Sequence, residues 1–346
     1  MVKSKIPILL ALVFLLHGLV LADNGQKIIV CISGNVVYAL YAPRQNAKQI
    51  LKYTAKSGHK MTYYSVENTA NCHIINLLLN ESATMVAYSE LCKNQSSKGS
   101  SSYYQYQLSV LNIKDKSVIM RSPNAYLFSF SPDGRKIAYS EGIPGERGSA
   151  APPGYQGGLW IYDFGAFSKD RVNAIDVYIM DMKWSKHDGN LYYTNNDKVF
   201  KYDPKSAKST VTAYKGIYFS DNGNYYLSLP EEGRSYIYKS ADNTEMTEWE
   251  KQIAGSEEID CCMLFKFWSK KLNAVVFGVS NTENVVFDVG KGKVIGKFNG
   301  WVLGTNADGS LVAVNPVKTD NKKAYEQSQV EIINLLEVVS KYQAGH

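Results

Sequence analysis

Along residues 128 to 142, FSFSPDGRKIAYSEG, apolar and polar positions alternate into an Asp-Gly turn and out again, the pattern of two short strands joined by a tight hairpin. The pattern recurs. Residues 75 to 91 end their second strand in the same AYSE, and further copies run at 180 to 197, 216 to 233, 264 to 281 and 301 to 316, with a shorter cousin at 28 to 43. Most hairpins are followed by a third apolar strand that ends at Asn112, Asp163, Asp203, Asp288 or Asn334. A short side-chain oxygen there can cap the turn into a fourth strand. The spacing of roughly 35 to 55 residues, with four strands per unit, predicts propeller blades.

The SPDGRKIAYSEG unit resembles the WD40-like repeat of the TolB propeller and of the propeller domains of prolyl oligopeptidase-type enzymes. The resemblance runs over residues 26 to 342, and only the third unit carries the motif intact. Glu81-Ser82-Ala83-Thr84 replaces SPDG in the second unit and Ser269-Lys270-Lys271-Leu272 in the sixth. The expected fold is an all-β propeller of seven four-stranded blades with almost no helix, one domain over 23–346, because a repeat array buries its surface between neighbours. The resemblance implies the fold and is silent on the ligand.

Ahead of the repeats, Lys3 and Lys5 precede an apolar run from Ile6 to Leu21, with Val20 and Ala22 before Asp23. That is the grammar of a secretory signal peptide over 1–22, cut before Asp23. The run is shorter than the ~20 residues of a membrane span, and His17 and Gly18 interrupt it. The expected location is secreted, extracellular or periplasmic, with no stable span after cleavage. Loss of Lys3 and Lys5 lowers the formal net charge from +6 to +4, with both signs interspersed, so nothing calls for a nucleic-acid partner.

Export makes the five cysteines disulfide candidates. Cys72 and Cys92 lie symmetrically about residue 82, the centre of the second hairpin, and an antiparallel pair would set them opposite each other. The pairing of Cys31 and of the adjacent Cys261 and Cys262 stays open. Asn80 and Asn94 head glycosylation sequons, Asn80 in a tight turn and Asn94 in a Ser-rich loop.

Catalytic patterns are missing. No G-x-S-x-G elbow, H-E-x-x-H, paired C-x-x-C, Walker or calcium-loop spacing occurs. No cofactor or metal is expected, and His187 beside Asp188 reads as a solvated turn residue. The chain therefore reads as a non-catalytic propeller that binds a protein, peptide or glycan. The alternatives are a hydrolase or lyase with a channel-mouth site, or a propeller subunit gating a separate peptidase. Long inserts at 91 to 104, 142 to 158 and 316 to 329 fall between second and third strands, which puts them on one face. Tyr103, Tyr104, Tyr155, Trp160 and Tyr325 are the candidate contact residues of that face.

Overall fold

The computed structural model describes residues 20–21, 27–33, 36–41, 49–54, 60–65, 72–95, 102–141, 158–172, 179–195, 198–228, 235–246, 264–280, 283–315 and 331–345. The first sheet joins β1 (Val20–Leu21), β2 (Lys27–Ser33), β3 (Val36–Tyr41), β4 (Gln49–Thr54) and β5 (Lys60–Ser65) in sequence order. Six antiparallel meanders follow. They are β6 (Cys72–Leu79) to β7 (Met85–Gln95), β8 (Ser102–Asn112) and β9 (Val118–Pro123); β10 (Ala125–Phe130) to β11 (Lys136–Glu141), β12 (Gly158–Asp163) and β13 (Ser168–Arg171); and β14 (Asp181–Trp184) to β15 (Leu191–Asn195), β16 (Lys198–Asp203) and β17 (Lys208–Val211). Then come β18 (Tyr218–Phe219), β19 (Tyr225–Ser228) and β20 (Tyr236–Lys239); β21 (Leu264–Ser269), β22 (Ala274–Gly278), β23 (Glu283–Asp288) and β24 (Lys293–Asn299); and β25 (Trp301–Thr305), β26 (Leu311–Asn315) and β27 (Glu331–Asn334).

These sheets are the blades of a β-propeller. The expectation of seven four-stranded blades is corrected: the described residues show six blades of three or four strands, preceded by a five-stranded N-terminal sheet. The blade of β18–β20 ends at its third strand, beyond which Tyr238 and Glu245 form a single bridge. The last blade ends in a helix instead of a fourth strand, α1 (Leu335–Ala344). Its sequence explains the change. Asn334 caps it by accepting from Leu336 N, and its amide reaches Glu337 in the first turn, while Lys341 sits in the last turn. Leu335, Val338 and Val339 recur at helical spacing and pack with Val286, Ile295 and Phe298 of the preceding blade. Gly296 on β24 admits the helix, since a Cβ there would lie 3.1 Å from Val338.

The core lies between blades. Tyr126 and Leu127 of one blade pack with Met182, Trp184, Leu191 and Tyr193 of the next, and Leu227 and Ile237 meet Val275, Phe277 and Phe287. Each blade alone could not bury these faces, so the stacking supplies most of the apolar burial.

The hairpin turns show why the repeat tolerates motif loss. Ser131 Oγ accepts from Lys136 N (2.9 Å), Ser220 Oγ from Tyr225 N (3.1 Å), Asn80 Oδ1 from Met85 N (2.9 Å) and Asn306 Oδ1 from Leu311 N (2.9 Å). One bond, from the last residue before the turn to the first residues of the returning strand, fixes four of the turns. The left-handed position belongs to Gly134, Gly189, Gly223 and Gly309 where the turn keeps its glycine, and to Ala83 (φ 52°) and Asn273 (φ 49°) where it does not. In the outer turns Asn112, Asp163, Asp203 and Asp288 accept backbone N–H bonds as expected.

Candidate functional site

Second-to-third-strand connections leave every blade on one face, and hairpin turns such as 131–135 leave on the other. On the connection face the β7–β8 hairpin differs from the rest. Its strands are 11 residues each, against 4 to 6 for the second and third strands of the other six-blade set. Pairing runs Cys92↔Gln105, Lys93↔Tyr104, Asn94↔Tyr103 and Gln95↔Ser102. Strand β6 begins at Cys72, opposite Cys92, and β9 last pairs through Pro123 with Gln107. Three residue pairs thus extend past the blade as a two-stranded ribbon, roughly 10 Å at the usual rise per residue.

A disulfide pins the base of the ribbon. Cys72 and Cys92 are bonded, with Cα atoms 4.0 Å apart, in the cross-strand register that the symmetry about residue 82 predicts. The segment read from sequence as a loop over 91 to 104 is therefore mostly strand, and Asn94 belongs to β7 and not to a loop. Alternating Tyr and Gln in YYQYQ suits a strand, a signal that the Ser-rich stretch beside it obscured. Asn80 is 3% exposed and its amide is occupied within its own turn, so that sequon is closed.

Tyr103 and Tyr104 stand on the ribbon by register. Trp160 stands elsewhere on the same face, in β12 between Tyr139 and Arg171, partly buried against the core shared by the blades of β6–β9 and β10–β13. Lys169 Nζ lies 3.9 Å from its ring centroid and bonds Glu141 Oε1 at 2.6 Å, and Ser122 donates to the same oxygen at 2.8 Å. Trp160 is thus a strand residue under a lysine, not a loop tip. Tyr155, Tyr325, Cys261 and Cys262 lie outside the described residues, and Cys31 is placed on β2 opposite Tyr38.

Across the axis, the first strands carry ionisable groups that composition did not single out. Asp181 is buried, and burial raises its carboxyl to about 6 although Tyr218 OH and Met182 N donate to it. Burial likewise lowers Lys266 and raises Asp221. On the turn face Lys186 Nζ donates to Ala307 O at 2.7 Å and reaches Glu81 Oε1 at 3.4 Å. That lysine links the turns of three blades that are not neighbours in sequence, so it crosses the mouth on that side. Among the described residues no three His, Cys, Asp or Glu side chains group to hold a metal.

Comparison with known proteins meets this geometry at the level of fold. No family profile matches the chain, and no curated protein matches it in sequence. Solved structures do. A WD40-type propeller chain described as "Crystal Structure of Mitotic Checkpoint Complex" superposes with a TM-score of 0.54 at 8% identity, over 88% of this chain and 86% of that one. The chain is similar in fold to WD40-type propellers. An "Oligogalacturonate lyase in complex with manganese" (TM-score 0.47, 11% identity, 70% of each chain) and TolB from Acinetobacter baumannii (0.45, 15%, 78% and 64%) are more distant. At these identities the likeness carries the fold and no residue roles.

Proposed function

We propose that the chain is an exported, non-catalytic propeller that binds a protein or peptide partner on its connection face, a glycan being the other ligand class of the same reading. The observation that carries this is the disulfide-pinned ribbon of β7–β8, a rigid two-stranded projection with Tyr103 and Tyr104 on it. Paired strands held by a cross-link present recognition groups at low ordering cost. The second and third strands that flank residues 142 to 157 and 316 to 330 end on the same face. A bonded cysteine pair supports an oxidising compartment, in keeping with a leader over 1–22, whose cleavage would remove β1 from the first sheet.

The test is a variant in which residues 94 to 103 become a two-residue Asn-Gly turn, leaving Cys72 and Cys92 in place. Partners recovered by cross-linking in the exported fraction are then titrated against both forms. The reading expects unchanged melting and affinity reduced at least tenfold; undiminished affinity overturns it.

A further inference from the structure

On the turn face, away from the ribbon, a cleft of about 640 Å³ opens between the blade of β14–β17 and the blade of β18–β20. Its size is that of a small-ligand site. Aromatic rings wall it: Tyr214 meets Phe219 edge-on at 5.1 Å between centroids, and Phe219 lies 4.5 Å from Tyr192. The close approach of the two blades depends on Gly223, where a Cβ would fall on the His187 ring and φ is +72°.

The polar groups of the cleft are unequal. Asp188 has no capacity to spare. Burial alone would raise its carboxyl, but Asn190, Lys201 (3.0 Å) and Tyr192 OH (2.9 Å) hold it down at about 2. The groups left over are mainly donors. Lys239 is exposed and its ammonium has no hydrogen bond or ion pair among the described residues; nearby Asp242 spends its carboxylate on Thr244. Among the described residues Lys201 bonds only Asp188, leaving N–H groups to spare. Ser240 also lines the cleft, though its hydroxyl is buried and makes no hydrogen bond among the described residues. Spare donors beside aromatic walls suit an acceptor-only head on an apolar body.

We propose that this cleft is a second binding site, which takes a carboxylate side chain of an acidic, aromatic-containing peptide segment. The carboxylate sits between Lys239 and Lys201, and a neighbouring aromatic side chain of the peptide packs on Tyr214 and Tyr225. A neutral saccharide hydroxyl could accept from these lysines but brings no negative charge to set against them, and the one carboxylate of the cleft is already saturated. The proposal is independent of the ribbon face.

Isothermal titration calorimetry of the whole protein decides it. The probes are a tetrapeptide of alternating glutamate and tyrosine, blocked at both ends, its glutamine counterpart, and free glucuronate. Saturable binding of the acidic peptide is expected, with the glutamine peptide at least tenfold weaker. Lys239→Met should weaken the acidic peptide about 10- to 100-fold, the range for a bond to a charged group. Lys341→Met, on α1, should leave it unchanged. Equal binding of the two peptides, no saturable binding at millimolar concentration, equal behaviour of the two lysine variants, or glucuronate binding as tightly as the peptide would each overturn the proposal.

Discussion

Replacing Asn80 by alanine isolates the bond that sets the blade turns. The side chain is 3% exposed, accepts from Thr84 N at 2.8 Å and Met85 N at 2.9 Å, and donates to Ser82 Oγ and Thr84 Oγ1. The two lost backbone bonds cost about 1 kcal/mol net each, and the Met85 N–H, on a partly buried residue, adds about 1 kcal/mol more because water replaces its partner poorly, while the exposed Ser82 and Thr84 hydroxyls keep each other and water as partners. Thr84 is exposed, so its N–H recovers a solvent bond. The expected loss is about 3 kcal/mol. At roughly 2 cal/mol/K per residue of unfolding entropy, a chain of this length loses about 4 °C in Tm. Asn80→Ser tests the mechanism, because Ser131 and Ser220 make the same bond in other blades. A serine reaches the Met85 N–H but not Thr84, so it should restore about half the loss. Urea and thermal unfolding followed by circular dichroism measure both variants. Loss below 0.5 kcal/mol for the alanine form, or no recovery in the serine form, refutes the reasoning.

Further outcomes are as direct. Peptide mapping without reduction should recover residues 72 and 92 linked, and Cys72→Ser with Cys92→Ser should cost about 3 kcal/mol by loop entropy for a separation of 20 residues. Asp181 has a folded pKa of about 6, above the 3.8 of its ordinary value, so the folded state binds the extra proton between those values. Stability from this group is therefore present at pH 4 and lost as pH rises through 6, an effect of up to about 3 kcal/mol. Asp181→Asn should remove that slope and melt higher than the parent at pH 8; an unchanged slope would sink the assignment. Material exported from a secretory host should begin at Asp23 by intact mass.

How much could be read beforehand follows from the kind of signal. Period-two alternation into Asp-Gly or Asn-Gly turns is local, so the hairpins around Gly134, Gly189, Gly223 and Gly309 were legible, as was the Cys72↔Cys92 register that follows from hairpin symmetry. The outer-turn caps at Asn112, Asp163, Asp203 and Asp288 were equally local. Asn334 shows the limit: its side chain suits a turn and a helix N-cap equally, and only Leu335, Val338 and Val339 packing on the neighbouring blade favour the helix. Trp160 was named for its size, yet its strand register places it beneath Lys169. The groups that converge from separate blades, Lys186 with Ala307 and Glu81, or Tyr218 with Asp181, leave no trace in sequence spacing. They lie 37 to 121 residues apart and meet only through the ring.

The contact of β2 with β25 bears on the order in which the molecule is made. Every blade hairpin closes over 16 intervening residues or fewer, whereas Ile28 and Trp301 belong to strands that meet across almost the whole chain. Joining ends about 270 residues apart costs about 5 kcal/mol in loop entropy before any contact forms. The intervening blades, once stacked, hold those ends near each other and remove most of that cost. Translation delivers β2 long before β25, so the first sheet waits with an open flank while the rest emerges. A nascent chain stalled before residue 301 should carry that flank exposed, and folding factors acting on this protein would find their longest-lived target there.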